Sequence, residues 1–218
     1  MSKIPVYFMP GLAASPLIFV NIILPQDTFE VHLLHWFLPK KKELLSDYAM
    51  RMAEQILHEN AVLIGVSFGG ILVQEMKPFL NTRKIIIISS VRSNTEFPLK
   101  MKIAKSTKAY KLIPTGLLKD VEKLVKYAFG DALKKKLNLY EKYLHIRNKE
   151  YLDWAIEQVI CWERATIDSE IVSIHGDKDE VFPIKNIKDF ISVKGGTHAM
   201  ILSKYNWFNT NLPTIILE

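Results

Sequence analysis

The chain has 218 residues, of which 49% are apolar and 24% charged, with a formal net charge of +6 at pH 7 and a single cysteine. That length buries a full core in one domain, and the composition is that of a globular rather than a fibrous or disordered chain. No apolar run approaches the ~20 residues of a membrane span and Met1 to Pro5 carry no signal-peptide segment, so no membrane span and a cytoplasmic location are expected.

The first half alternates strand and helix signals, the rhythm of a parallel sheet covered by helices. Pro5 to Met9 reads as a buried strand that stops at Pro10-Gly11, and Phe29 to Trp36 as a second. From Glu43 to His58, Leu44, Leu45, Tyr48, Met52 and Ile56 fall at helical spacing. Ala61 to Val66 is a third strand, followed by Ser67 and a helix, and Lys84 to Ser89 is a fourth. Its run of four isoleucines fits a strand covered on both faces.

After Ser90 the rhythm changes. Val121 to Phe129, with Gly130 as a stop, and Leu133 to Leu144, with Asp131 as a candidate N-cap, repeat apolar residues at steps of three and four. These predict a helical insertion spanning 92–165 within a core formed by 1–91 and 166–218. Between Arg92 and Glu150, 15 basic residues stand against six acidic ones, which leaves +9 there and −3 elsewhere. Such a region can attract anionic substrates, but solvated helix faces explain it as well, and no nucleic-acid module accompanies it. Strand signals resume at Glu170 to His175 and Phe190 to Val193, before an amphipathic helical stretch from Ala199 to Trp207. Cys161, between Ile160 and Trp162, reads as a packed thiol.

Gly65-Val66-Ser67-Phe68-Gly69 is a G-x-S-x-G segment between a strand and a helix. Such a turn can present a serine hydroxyl, and it can equally serve packing or phosphate binding. It lacks the lysine of a P-loop and the spacing of a dinucleotide fingerprint. A serine nucleophile needs a base and an acid to orient it, and parallel sheets collect such groups at the carboxyl ends of their strands. There the sequence offers Asp177 and Asp179 after one late strand and His198 after the last, in Gly195-Gly196-Thr197-His198. Of the other histidines, His58 and His145 fall in helical surface contexts. His32 and His35, three apart on a strand, point to opposite faces without a third ligand nearby in sequence, so no metal site is expected.

The order Ser, Asp, His, with Ser67 on its glycine-flanked turn, resembles the α/β hydrolases, and in particular small serine hydrolases with a helical cap. The resemblance spans nearly the whole chain and implies a mostly parallel sheet of about six strands with helices on both faces. His175-Gly176-Asp177-Lys178-Asp179 with Pro183 matches the family's acid segment and selects Asp179, leaving Asp177 as a turn residue and Glu96 as a remote alternative. His175 matches a structural histidine and His198 the base. The oxyanion donors it implies are the backbone N–H groups of Phe68 and of Leu12, in Met9-Pro10-Gly11-Leu12, where Pro10 replaces a histidine common in relatives. The implied activity is cofactor-free hydrolysis of a small acyl substrate, an ester. Alternatives are a thioesterase drawing anionic acyl-CoA to the basic insertion, or a ligand receptor with low turnover.

Overall fold

A computed structural model describes residues 2–113, 143 and 146–218. Apart from Tyr143, the two helical repeats expected between Val121 and Leu144, and His145, lie outside the described residues. Six parallel strands form one sheet in the order β2-β1-β3-β4-β5-β6: β1 Ile4–Met9, β2 Phe29–Leu33, β3 Ala61–Val66, β4 Thr82–Ile88, β5 Val172–Gly176 and β6 Ile191–Val193. The described helices are α1 Leu45–Ala53, α2 Phe68–Met76, α3 Leu99–Thr107, α4 Lys149–Cys161, α5 Met200–Ser203 and α6 Tyr205–Leu217. None of them is long and apolar enough to cross a membrane.

Strand periodicity explains the apolar runs. Along β1, β3 and β4 successive side chains point to opposite faces. Tyr7, Met9, Leu63, Ile85 and Ile87 thus pack with α1, α2 and α4, while Val6, Phe8, Val62, Ile64, Ile86 and Ile88 pack with α5, α6 and the turn Pro16–Phe19. Ile85 to Ile88 are all buried, two on each face. A strand with two dry faces needs no polar alternation.

The strands β1, β4, β5 and β6 shift by one or two residues from the sequence reading, and three boundaries differ by more. The second strand stops at Leu33 rather than Trp36, because Trp36 turns away and donates its indole N–H to the Gly11 carbonyl at 2.8 Å. The helix expected over 43–58 is Leu45–Ala53 only. Glu43 stays outside it and accepts from the Lys40 N–H at 2.7 Å, while Leu57 donates its backbone N–H to the Tyr7 hydroxyl. The last helical stretch is two helices separated at Lys204 (φ −119°, ψ 24°), and the second runs on to Leu217.

The strand order places a topological switch beside β1. The chain leaves β1 for β2 on one side, then crosses back to β3 on the other. The loops after β1 and β3 therefore part in opposite directions and open a crevice at their carboxyl ends. Gly11 and Ser67 border that crevice.

Candidate active site

Ser67 follows β3 with φ 53° and ψ −119°, a conformation that L-residues adopt only under constraint. The constraint is close packing around the turn. A Cβ on Gly65 would collide with the Gly69 carbonyl, and one on Gly69 with the carbonyls of Met9 and Pro10. The turn is bolted to β4 as well: Ser67 N–H donates to the Ile88 carbonyl at 2.9 Å, and Ser90 Oγ donates to the Ser67 carbonyl at 2.7 Å. The hydroxyl is thereby aimed into the crevice.

His198 Nε2 lies 2.9 Å from Ser67 Oγ, and His198 Nδ1 lies 3.0 Å from Asp179 Oδ2. An ionised carboxylate only accepts, so Nδ1 carries the proton and Nε2 is left to accept from the serine hydroxyl. Asp179 is 5% exposed, and its Oδ1 accepts from the backbone N–H groups of Val181 and Phe182 at 2.9 and 3.0 Å. Burial pushes its carboxyl up, but the His198 and His175 imidazoles and their hydrogen bonds outweigh that and hold it well below the usual carboxylate range. Phe182 meets the His198 ring edge-on at 5.6 Å. The loops that carry Asp179 and His198 are pressed together at Gly176, where a Cβ would strike the Gly196 backbone.

The competing candidates have other partners. Asp177 accepts from the Gly195 N–H at 2.6 Å, a turn contact. Glu96 accepts from the Arg92 and Lys188 backbone N–H groups and sits 3.9 Å from the Arg92 guanidinium. His175 is fully buried, and its Nε2–H donates to the Phe182 carbonyl at 2.8 Å with Asp179 Oδ2 3.3 Å away, so it braces the acid loop. Cys161 directs its Sγ to the Tyr110 hydroxyl at 3.3 Å.

Ser67, Leu12 and Phe68 open on one cavity of about 290 Å³ whose other described walls are mostly apolar: Met101, Ala104 and Ala109 from the α3 side, Ile156, Val159 and Ile160 from α4, and Val181 and Phe182 from the acid loop. Lys100 and Tyr110 are its polar-tipped members. The Phe68 N–H heads α2, where helix geometry provides no internal acceptor. The Phe68 ring is fixed between Trp36, stacked at 4.9 Å, and Trp154, edge-on at 5.9 Å.

Sequence reasoning missed the residues that hold the loop after β1 in place of a histidine. The Gly11 carbonyl accepts from Trp36 Nε1 and from the Ala14 N–H, and the Ala13 N–H donates to the Tyr151 hydroxyl at 3.2 Å. The only sequence signal was generic: a buried tryptophan or tyrosine needs a partner for its polar end.

No protein-family model and no curated protein sequence matches the chain. Solved structures do. An esterase from Thermogutta terrifontis superposes with a TM-score of 0.69 at 12% identity, covering 99% of this chain and 90% of that one. The chain has the α/β-hydrolase fold. Two further α/β-hydrolase-fold structures agree: an enol-lactonase from Burkholderia xenovorans LB400 (TM-score 0.69, 13% identity, 100% and 93% covered) and an esterase from Rhodococcus sp. ECU1013 (0.64, 14%, 99% and 91%). At such identities the likeness extends to the fold alone.

Proposed function

We propose that this α/β-hydrolase-fold protein is a serine hydrolase that cleaves a small carboxylic ester with an apolar acyl group. The observation that carries this reading is the hydrogen-bonded chain Ser67–His198–Asp179 opening on an apolar cavity. Ser67 Oγ attacks the acyl carbonyl while His198 Nε2 takes its proton. Asp179 holds the tautomer and stabilises the imidazolium that forms. The N–H groups of Leu12 and Phe68 receive the oxyanion, a contribution on the order of 3 kcal/mol for each donor. His198 then protonates the leaving alcohol, and water, activated by the same imidazole, releases the acid and restores Ser67. Apart from that water, every group in these steps belongs to the chain.

In this reading 92–165 forms a cap, and α3 and α4 contribute the far wall of the acyl site. The esterases among the similar structures support an ester as the substrate class. A thioester is the second reading, favoured by Lys100 at the cavity and by the +9 segment that surrounds it in sequence. A KM that rises with salt for CoA esters but not for neutral esters marks a thioesterase. Very slow turnover of both classes, with tight ligand-induced stabilisation, marks a receptor.

Ser67→Ala is expected to lower turnover of short p-nitrophenyl esters by about 10⁵-fold or more and to abolish labelling by a fluorophosphonate probe. Labelling that persists in the variant overturns the assignment of the nucleophile.

A further inference from the structure

Away from the crevice, on the outer strand β2, a second group of chemically capable side chains comes together. Glu30 and His32 are two apart on β2 and so share a face. His58, beyond the end of α1, joins them, and one donor atom from each of the three lies within 4.8 Å of the others. The pairing of His32 with His35 considered from sequence is thus not the relevant one. The partners are the period-two neighbour and a histidine 26 positions on.

Three features distinguish this group from an ordinary surface ion pair. His32 Nε2 is shielded from water and has no aligned hydrogen-bond partner among the described residues, although Glu30 Oε1 is 3.2 Å away. A shielded nitrogen without an aligned hydrogen bond is costly to keep, and a bond to a Lewis acid removes that cost. Both rings are held in place: His32 stacks on Tyr7 at 4.5 Å, and the Tyr7 hydroxyl sits 2.6 Å from His58 Nδ1. A hydrogen bond to the second nitrogen of a ligating histidine is the usual orienting contact in metal sites. Finally, two imidazoles and one carboxylate form a nitrogen-rich set that suits zinc-class ions rather than calcium or magnesium.

We propose that Glu30, His32 and His58 bind a divalent transition cation of the zinc class. Ligands about 2.0–2.1 Å from a tetrahedral ion lie about 3.4 Å apart, so small side-chain rotations would close the group around it. The ion would tie the outer strand β2 to the connection between α1 and β3. It would act as a structural clamp with no part in acyl transfer.

The test uses the full chain, stripped with a chelator and titrated with ZnCl₂ by calorimetry and thermal unfolding. The wild type should bind one equivalent saturably and gain in Tm. Glu30→Gln and His58→Gln should each weaken that binding by at least tenfold and lose the Tm gain, with ester turnover unchanged. Glu30 is exposed, so its variant keeps the test readable if replacing His58 disturbs Tyr7. His198→Ala controls for zinc at the crevice and should retain the tight site. The proposal fails if the wild type shows no saturable binding at millimolar zinc, if the Glu30→Gln and His58→Gln variants bind as tightly as the wild type, or if only His198→Ala abolishes binding.

Discussion

The turn that carries Ser67 and the wall that faces it are built by different means. Around Ser67 the constraints are backbone against backbone: Gly65 against Gly69, Gly69 against the end of β1, and the Ser67 N–H on the Ile88 carbonyl. No side chain could substitute there without moving a strand. Across the cavity, Ile156, Val159 and Ile160 of α4 and Met101 and Ala104 of α3 meet the same space with aliphatic surfaces of exchangeable size. The first region fixes what chemistry is available. Under the proposed function the second decides which acyl group reaches it, and the contrast predicts steep, all-or-none responses on one side and graded ones on the other.

The sharpest attempt to break the contrast is Asp179→Asn. The amide keeps the shape but favours the wrong tautomer of His198, and kcat should fall by about 10³–10⁴-fold with KM nearly unchanged. A loss below about tenfold would mean that Asp179 does not orient His198. The same variant has a signature in stability. Because the folded carboxyl titrates below its unfolded value near 3.9, it contributes stability that is complete above about pH 4 and lost as pH falls further. Acid unfolding curves should show that contribution missing from Asp179→Asn, with its dependence on pH flattened below pH 4.

Next in size is Gly69→Ala. Its new methyl would meet the carbonyls of Met9 and Pro10, and neither strand end can yield, because β1 and β3 are paired through Met9 and Gly65. A loss of about 3 kcal/mol in urea unfolding, at the upper end for overpacking, is the expected outcome. A destabilisation within ~0.5 kcal/mol, the range of ordinary surface substitutions, would show that the turn tolerates side chains after all.

The legibility of the sequence follows the same divide. The glycines around Ser67, the isoleucine run of β4 and the order of Ser67, Asp179 and His198 are local patterns, because backbone collisions and strand periodicity are local constraints. The six strands could therefore be read in order, and the three side chains now found within hydrogen-bond reach could be chosen from many. Trp36, Tyr151 and Ser90 could not, because their partners Gly11, Ala13 and Ser67 lie 25, 138 and 23 positions away. Nothing in the pattern around Trp36 distinguishes a strand residue from a side chain that turns back to hold a loop. His58 is hard to place from sequence for a similar reason. It sits past the end of α1 against Tyr7, where helical spacing placed it on a surface.

A graded response is expected at Ile156, which lines the cavity from α4. Ile156→Trp fills part of that space from the α4 side. It should lower kcat/KM for octanoyl esters by about tenfold or more while leaving acetyl esters within about twofold. Equal losses for both lengths would indicate that α4 supports the catalytic groups themselves, and the two regions would then have to be treated as one.

The smallest effect belongs to Tyr151→Phe, and it probes a place where the two regions touch. The Tyr151 ring packs among the apolar residues of α4, while its hydroxyl accepts from the Ala13 N–H, one residue beyond Leu12. Removing the hydroxyl leaves a buried N–H unpaired, which should cost about 1–2 kcal/mol of stability. Ala13 has φ 58°, so the loop has a strained conformation to relax from once that bond is lost. Under the proposed function, a shift of the Leu12 N–H away from the oxyanion should then appear as a several-fold fall in kcat at constant KM, because the lost contact forms only in the transition state. If stability falls but kcat does not, the Trp36 indole on Gly11 is sufficient to hold the loop. In that case Trp36→Phe should produce the kcat loss that Tyr151→Phe did not.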